Sequence, residues 1–515
     1  MFKLLEFIKQ HKILLSVVFI YFTFRLFNLT LLPIFNDEAI YLDWGWRETH
    51  NPGLLYYSLY DAKQPLLMWI FGVLQNYISD PLIAGRIVSV FTGFLTMSGI
   101  YYFCKENISR KTAILASILY IFIPIFSFYD RQALMESSVA ACGIWSLVFL
   151  SKFLNEKKLL FATLLGFTLG IGFFIKSSSL VFMASSVLII GIYFLKNREK
   201  AILAEGLAAV FVSFFCTVFL LIINPQFWQT LPKNYVFSLS PIELLGFPIL
   251  KWLSNLWGDL QISFFHLTPF IFVSADLGLI KIAYDKNKKL FVSLLFLIFS
   301  FGINVLLARI ISDRYLVFLL PLVCIPAGYL IHYSFSKSRL LGTAVFIILL
   351  LPALIFTLVQ ITNPVMYIQG MSNFGKYSPT TYLNGFTSGY GVDKTMSFIR
   401  NRENGKQFLV TTAENTGNPE SAIAIYFNYM KTPNAKSTYF DARLIGSALN
   451  DYQCLTYKND FYFVSRENQL AGMGRFLQKL TTIKNPYGTN TIGIYTLKKN
   501  CKGKTFDLVL SKPAT

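Results

Sequence analysis

Charge is scarce in this sequence of 515 residues: Asp, Glu, Lys and Arg together make up 14% of it, and the acids number only 27. Set beside 54% hydrophobic residues, 17% aromatic residues and a mean hydropathy of +0.51, that shortage excludes an average soluble domain and implies a chain that crosses a membrane repeatedly. Histidine is almost missing. Of His11, His50, His266 and His332, only His266 stands where it could join a carboxylate site, and a lone helical histidine is more often structural, so no metal ligand is assigned. No cofactor is assigned either, a divalent metal being left open. Among six cysteines, Cys104, Cys142, Cys216 and Cys324 lie in apolar stretches as small fillers, leaving Cys454 and Cys501 as the pair for which a disulfide is open. No GxxxxGK[ST] sequence occurs, and GMGRF at 472–476 holds too little of a nucleotide-binding fingerprint, so nothing points to ATP-driven chemistry.

What the chain does have is apolar length. Eleven candidate spans, each long enough for a hydrocarbon core of roughly 30 Å, occupy about 13–32, 81–103, 112–129, 133–153, 159–175, 179–195, 201–223, 261–280, 290–308, 315–333 and 340–360. Basic residues then set an orientation, because short loops rich in Lys and Arg stay in the cytoplasm. With the N-terminus inside, the inner segments hold Lys3, Lys9, Lys12, Lys105, Arg110, Lys111, Lys152, Lys157, Lys158, Lys196, Arg198, Lys200, Lys281, Lys286, Lys288, Lys289, Lys337 and Arg339. The outer loops, although longer, hold Arg47, Lys63, Arg131, Lys176, Lys233, Lys251, Arg309 and Arg314. An odd number of spans puts the C-terminal part outside. The net charge of +19 therefore needs no nucleic-acid partner: part of it is topogenic, and part lies in residues 361–515, facing the outer surface of the lipid bilayer.

Two outer loops, 33–80 and 224–260, are too long for connectors, and PLLMWIFGVLQNYI at 65–78 reads as a helix in or near the interface. After residue 360 the pattern changes. QFLVTTA (407–413), STYF (437–440), FYFVSRE (461–467) and TIGIYTLK (491–498) read as strands, with helices near 419–430 and 471–482, which together make a small α/β domain.

Ionisable groups at the ends of spans are costly and mark a substrate site. Asp37 and Glu38 end the first span. Lys63 stands in the first outer loop and Arg86 near the start of the second span. Asp130, Arg131 and Glu136 join the third and fourth spans, Lys176 ends the fifth, and Arg309, Asp313 and Arg314 join the ninth and tenth. All share one side of the expected topology. Carboxylates and cations gathered there suit deprotonation of a hydroxyl beside a clamped phosphate.

These residues resemble the polyprenyl-phosphate-sugar-dependent glycosyltransferases of the GT-C class, which include the protein O-mannosyltransferases and the lipid A aminoarabinose transferase. In order, the resemblance rests on Arg25 ahead of Asp37-Glu38, DAKQPLLMWIFG (61–72), AGRIVSVFTG (84–93), DRQALMES (130–137), GFTLGIGFFIKSSSL (166–180) and DRYLVFLLPL (313–322). It implies a polytopic α-helical membrane protein of about 11 spans at 1–360, GT-C-like, with a small C-terminal α/β extracytoplasmic domain at 361–515. It implies further that Asp37 is the catalytic base and Glu38 its support. Lys63, Arg86, Arg131 and Arg314 would bind the donor phosphate, and Glu136 and Asp130 would bind acceptor or sugar. The donor would be a polyprenyl-phosphate-linked sugar, the acceptor a protein, lipid or glycan, and the transfer inverting. Eukaryotic protein O-mannosyltransferases carry a large domain in a later lumenal loop. The loop here is 224–260, which favours a prokaryotic cell membrane. The competing class is a transporter or flippase of a lipid-linked sugar, but this would place ionisable groups near mid-membrane and show related halves, neither of which is seen.

Overall fold

The computed structural model describes residues 2–196, 200–372, 379–402, 407–413, 417–429, 435–440, 449, 451–467, 469–470 and 472–508. Among them, six helices are long and apolar enough to cross a membrane: Pro81–Asn107, Glu136–Glu156, Ser177–Lys196, Lys200–Ile222, Lys289–Leu307 and Arg339–Thr362. The pair Ile249–His266 and Pro269–Tyr284, bent by 117°, makes a seventh if it is one span. The other expected spans are helical but shorter, broken or more charged, for local reasons. The stretch 112–129 divides into Arg110–Phe122 and Pro124–Tyr129, because Pro124 has no N–H to continue the first helix. Likewise 315–333 divides around Pro321 into Asp313–Leu316, the 3₁₀ turn Leu320–Val323 and Cys324–Lys337. Leu159–Ile175 has 17 residues, and Phe2–Leu26 begins with three lysines and one glutamate in its first half.

Two compact units are distinguished. One comprises Met1–Leu29, Tyr56–Leu67 and Arg86–Ser378; the other comprises Thr30–Leu55, Met68–Gly85 and Pro379–Thr515.

The first unit is a helical bundle held by aromatic layers and close backbone approach. Phe182 lies face to face with Phe296 at 5.7 Å and edge-on to Phe318 at 5.6 Å. Small residues let helices touch where lipid offers no hydrophobic drive to pair them. At Gly278, in Pro269–Tyr284, a Cβ would stand 2.1 Å from the carbonyl oxygen of Pro326 in the neighbouring helix Cys324–Lys337.

Among its described residues the second unit contains seven strands: β1 Phe408–Ala413, β2 Ala435–Phe440, β3 Cys454–Thr456, β4 Asp460–Arg466, β5 Leu477–Lys484, β6 Thr491–Leu497 and β7 Thr505–Asp507. Five form a mixed sheet in the order β2-β1-β4-β6-β5, with β1 parallel to both β2 and β4 and the remaining pairs antiparallel. The helix Glu420–Tyr429 connects β1 to β2, as a parallel pair requires. Strands β3 and β7 form a separate parallel pair, and a disulfide joins Cys454 to Cys501 beside it. The helix expected at 471–482 is not found: a 3₁₀ turn at Met473–Arg475 leads into β5, where β-branched Thr481, Thr482 and Ile483 pair with β6 and Leu477 enters the core of Leu409, Phe461, Phe463 and Tyr495. The helix Asn36–His50 also belongs to this unit, with Gly45 so close to the helix Leu66–Leu74 that a Cβ would lie 2.5 Å from the Met68 carbonyl oxygen.

Because neither backbone can retreat without unpacking its helix, Gly278→Leu is expected to destabilise the first unit by about 1–3 kcal/mol or more. A thermal melt of the purified protein in detergent reads this, and an unchanged midpoint would mean that the helices do not approach as described.

Candidate functional site

In the first unit, Glu136 opens the helix Glu136–Glu156 and is 1% exposed. Its Oε1 accepts from Lys176 Nζ at 2.8 Å and from Arg314 Nε at 3.0 Å. These partners are 40 and 178 residues away in the chain. Each reaches Glu136 from a break between helices: Lys176 follows Leu159–Ile175, and Arg314 sits in the one-turn helix Asp313–Leu316. The second oxygen of Glu136 is buried and accepts no hydrogen bond. Aromatic faces extend the cluster. Lys176 lies over Tyr315 at 5.3 Å, Tyr315 meets Phe237 edge-on at 5.6 Å, and Lys63 lies over Phe237 at 4.8 Å. Lys63 is also 3.6 Å from Asp61, which is largely exposed. Burial holds the Lys176 ammonium below the usual lysine range; Glu136 opposes that fall, and the charges of Arg314 and Lys63 add to it. Two cations therefore share one buried carboxylate, and a third, Lys63, acts on Lys176 from nearby.

Asp130 has a different setting. It is 2% exposed and saturated with donors: Arg25 Nε at 3.0 Å, Ser137 Oγ at 2.7 Å, Tyr120 OH at 3.1 Å to each oxygen, and Tyr21 OH at 3.5 Å. Arg25, wholly buried, also donates from Nη1 to the Ile121 carbonyl at 2.9 Å and from Nη2 to the Tyr120 carbonyl at 3.4 Å. Gly93 makes room, since a Cβ there would stand 2.4 Å from Asp130 Cγ.

Two further residues expected in the phosphate clamp, Arg131 and Arg86, also donate to backbone carbonyls. Arg131 Nη1 donates to the carbonyls of Phe24, Arg25 and Phe27, and Nη2 to that of Asn28, so its guanidinium caps the C-terminal end of the helix Phe2–Leu26. Arg86, 0% exposed, donates to the Leu29 carbonyl at 2.7 Å and to Gln132 Oε1 at 3.2 Å. Helix ends with unsatisfied carbonyls draw such arginines inward, and a guanidinium committed in this way has fewer donors left for a ligand. Asp313, beside Arg314, accepts from Tyr129 OH at 3.0 Å.

Asp37 and Glu38 are in the second unit, in the first turn of the helix Asn36–His50. Glu38 is buried, and its Oε2 accepts the Phe35 backbone N–H at 2.9 Å, the reach-back half of a capping box. Asp37 is half-buried, and its Oδ1 accepts from Asn36 Nδ2 at 3.2 Å. Asn36 in turn is fixed by its N–H to the Thr387 carbonyl at 2.9 Å and by its Oδ1, which accepts the Asn418 N–H at 2.8 Å. Sequence reasoning noted Lys176 at the end of a span but did not assign it to the phosphate site. The signal available was a lysine closing a glycine-rich span on the same side as Glu136 and Arg314. Among the described residues no group of three or more His, Cys, Asp or Glu could hold a metal ion.

Residues 62–229 match the family described as dolichyl-phosphate-mannose-protein mannosyltransferase. The fold is similar to that of ArnT from Cupriavidus metallidurans bound to undecaprenyl phosphate, with a TM-score of 0.56 at 12% identity over 94% of this chain and 97% of that one. For ArnT in the apo state the TM-score is 0.55 at 11% identity, with the same coverage. No curated protein matches the sequence. The chain thus resembles the polyprenyl-phosphate-sugar-dependent glycosyltransferases of the GT-C class: a multi-pass helical membrane protein of ArnT-like fold with a small C-terminal sheet domain.

The two buried acids should respond differently to loss of charge. Asp130→Asn leaves Arg25 without its counter-charge at 0% exposure, a loss of about 3–5 kcal/mol. Glu136→Gln should cost less, because Lys176 and Arg314 keep 19% and 14% of their side-chain surface in contact with solvent. Thermal melts of both variants check the order, and equal losses would contradict it.

Proposed function

We propose that this protein is an integral-membrane glycosyltransferase that moves a sugar from a polyprenyl-phosphate carrier to an acceptor at the extracytoplasmic face. The observation that carries the reading is the surplus of positive charge around Glu136: Lys176 and Arg314 on one of its oxygens and Lys63 close enough to act on Lys176. A buried group with more cations than anions is short of negative charge, and a phosphate diester supplies it. The family match and the ArnT-like fold support the same donor class.

Chemistry follows from charge placement. As an acceptor hydroxyl attacks the anomeric carbon, the bond from that carbon to the carrier phosphate oxygen breaks and the phosphate takes the electron pair. Lys63, Lys176 and Arg314 stabilise the charge that develops there. Asp37 takes the hydroxyl proton, and Glu38 holds the helix start that carries it. A single displacement inverts the anomeric configuration. Arg86, Arg131 and Asp130 position the breaks between helices. Basic inner loops support a cytoplasmic N-terminus, and a disulfide between Cys454 and Cys501 fits an oxidising compartment outside it.

Purified protein in lipid, given a labelled polyprenyl-phosphate sugar and a membrane extract as acceptor, should transfer label. Asp37→Asn is expected to slow transfer by about 10²–10⁴-fold with donor binding retained, the range for loss of a general base. Lys176→Ala should weaken donor binding instead. Normal transfer by Asp37→Asn would remove the base assignment, and failure of the wild type to bind the donor would remove the proposal.

A further inference from the structure

The second unit contains a polar cleft of about 230 Å³ between the end of β4, the start of β6 and the segment before the helix Glu420–Tyr429; Phe386, Asn418, Arg466, Glu467, Asn490 and Thr491 line it. Sequence reasoning assigned none of them. We propose that this cleft binds one sugar ring of the acceptor, so that the acceptor carries carbohydrate next to the group that is glycosylated. The inference rests on the glycosyltransferase reading and narrows its acceptor class.

Four observations carry it. First, the side-chain amides of Asn418 and Asn490, the Thr491 hydroxyl and the Arg466 guanidinium share the lining, so that donors and acceptors stand side by side. Sugar hydroxyl groups, which donate and accept at once, match such a mixture. A carboxylate or an ammonium matches only one kind. Second, fixed charge is balanced. Arg466 is 3.5 Å from buried Glu420, and Glu467 receives Lys479 and, at 2.5 Å, Thr491 Oγ1, which leaves little surplus charge to draw an anion. Third, Phe386 is 56% exposed with the Arg466 guanidinium 4.8 Å from its ring centre, a flat apolar face beside amides and hydroxyls. Fourth, the volume lies below the ~300–1,000 Å³ usual for drug-sized ligands and suits one ring.

Position links the cleft to chemistry. The Asn418 N–H donates to Asn36 Oδ1 at 2.8 Å, and Asn36 Nδ2 donates to Asp37 Oδ1 at 3.2 Å. One side-chain amide therefore stands between the cleft floor and the proposed base. A sugar seated on Asn418 would sit at a fixed remove from Asp37, as an acceptor recognised by its neighbouring ring must.

The test is saturation-transfer NMR on the full-length protein in nanodiscs, with methyl glycosides of the common hexoses and N-acetylhexosamines and with inorganic phosphate as separate probes. At least one glycoside should show transfer, reduced at least five-fold by Phe386→Ala, which removes a side chain 56% exposed and outside the core, and by Asn490→Ala. No glycoside signal, signal untouched by both variants, or binding of inorganic phosphate alone would overturn the inference. Donor binding, measured on the same sample, separates the two readings. A protein that binds the polyprenyl-phosphate sugar but no glycoside loses only the acceptor inference, whereas one that does not bind the donor loses the functional reading itself.

Discussion

The buried carboxylate of Asp130 is the constraint on which the first unit's arrangement turns. Its donors come from three helices, Phe2–Leu26, Arg110–Phe122 and Glu136–Glu156, and its space from a fourth, at Gly93. No single hydrogen bond here is worth much after the loss of hydration, but a buried guanidinium and carboxylate cannot separate without leaving each other uncompensated. The segment 130–136 is thereby pinned at its start. Arg131 adds a second fixation on the carbonyls that end Phe2–Leu26, and Glu136 emerges at the other end of the segment in one position.

A second, contrasting balance of charge sits at Glu136. Asp130 has four donor groups, one of them a cation, and is 2% exposed. Glu136 has two cations on one oxygen, an idle second oxygen, and a third cation nearby. A closed pair serves architecture, because any ligand would have to displace a partner. An overloaded one suits the proposed binding, because an anion would add partners without removing any. This difference, not the presence of charge at the ends of spans, is what marks Glu136 and its cations as the proposed phosphate site.

That difference was out of reach of the sequence. Spacing placed Asp130, Arg131, Glu136, Lys176 and Arg314 on one side of the membrane, but which cation meets which acid depends on contacts across 40 to 178 residues. Arg86 and Arg131 read like clamp residues because an arginine at the end of a span looks the same whether it faces a ligand or a neighbouring helix's carbonyls. Apolar runs were legible as helices, yet Pro124 and Pro321 interrupt two of them, and hydropathy averaged over a window does not register a missing N–H. In the C-terminal domain, strands β1, β2, β4 and β6 were legible from β-branched and aromatic alternation. Strand β5 was not: its buried end, Leu477, and its half-exposed Thr481 to Ile483 make no clean period of two, and a shift in register between Lys479 and Thr481 erases what period there is.

The C-terminal domain has a structural claim on the proposed base that its place in the sequence hides. Asp37 stands at the start of a helix whose first residue, Asn36, is held by Thr387 and Asn418, more than 350 residues later in the chain. Glu38 closes the same helix start from within through its capping box. Gly417 allows the approach, since a Cβ there would lie 2.0 Å from Asn36 Oδ1, and its φ of +126° is one that side chains disfavour. An acid that must face an attacking hydroxyl needs its orientation set to within a fraction of an ångström. A first-turn residue at the end of a loop would not have that by itself. The sheet domain holds Asn36 and, through it, the start of the helix that carries the proposed base.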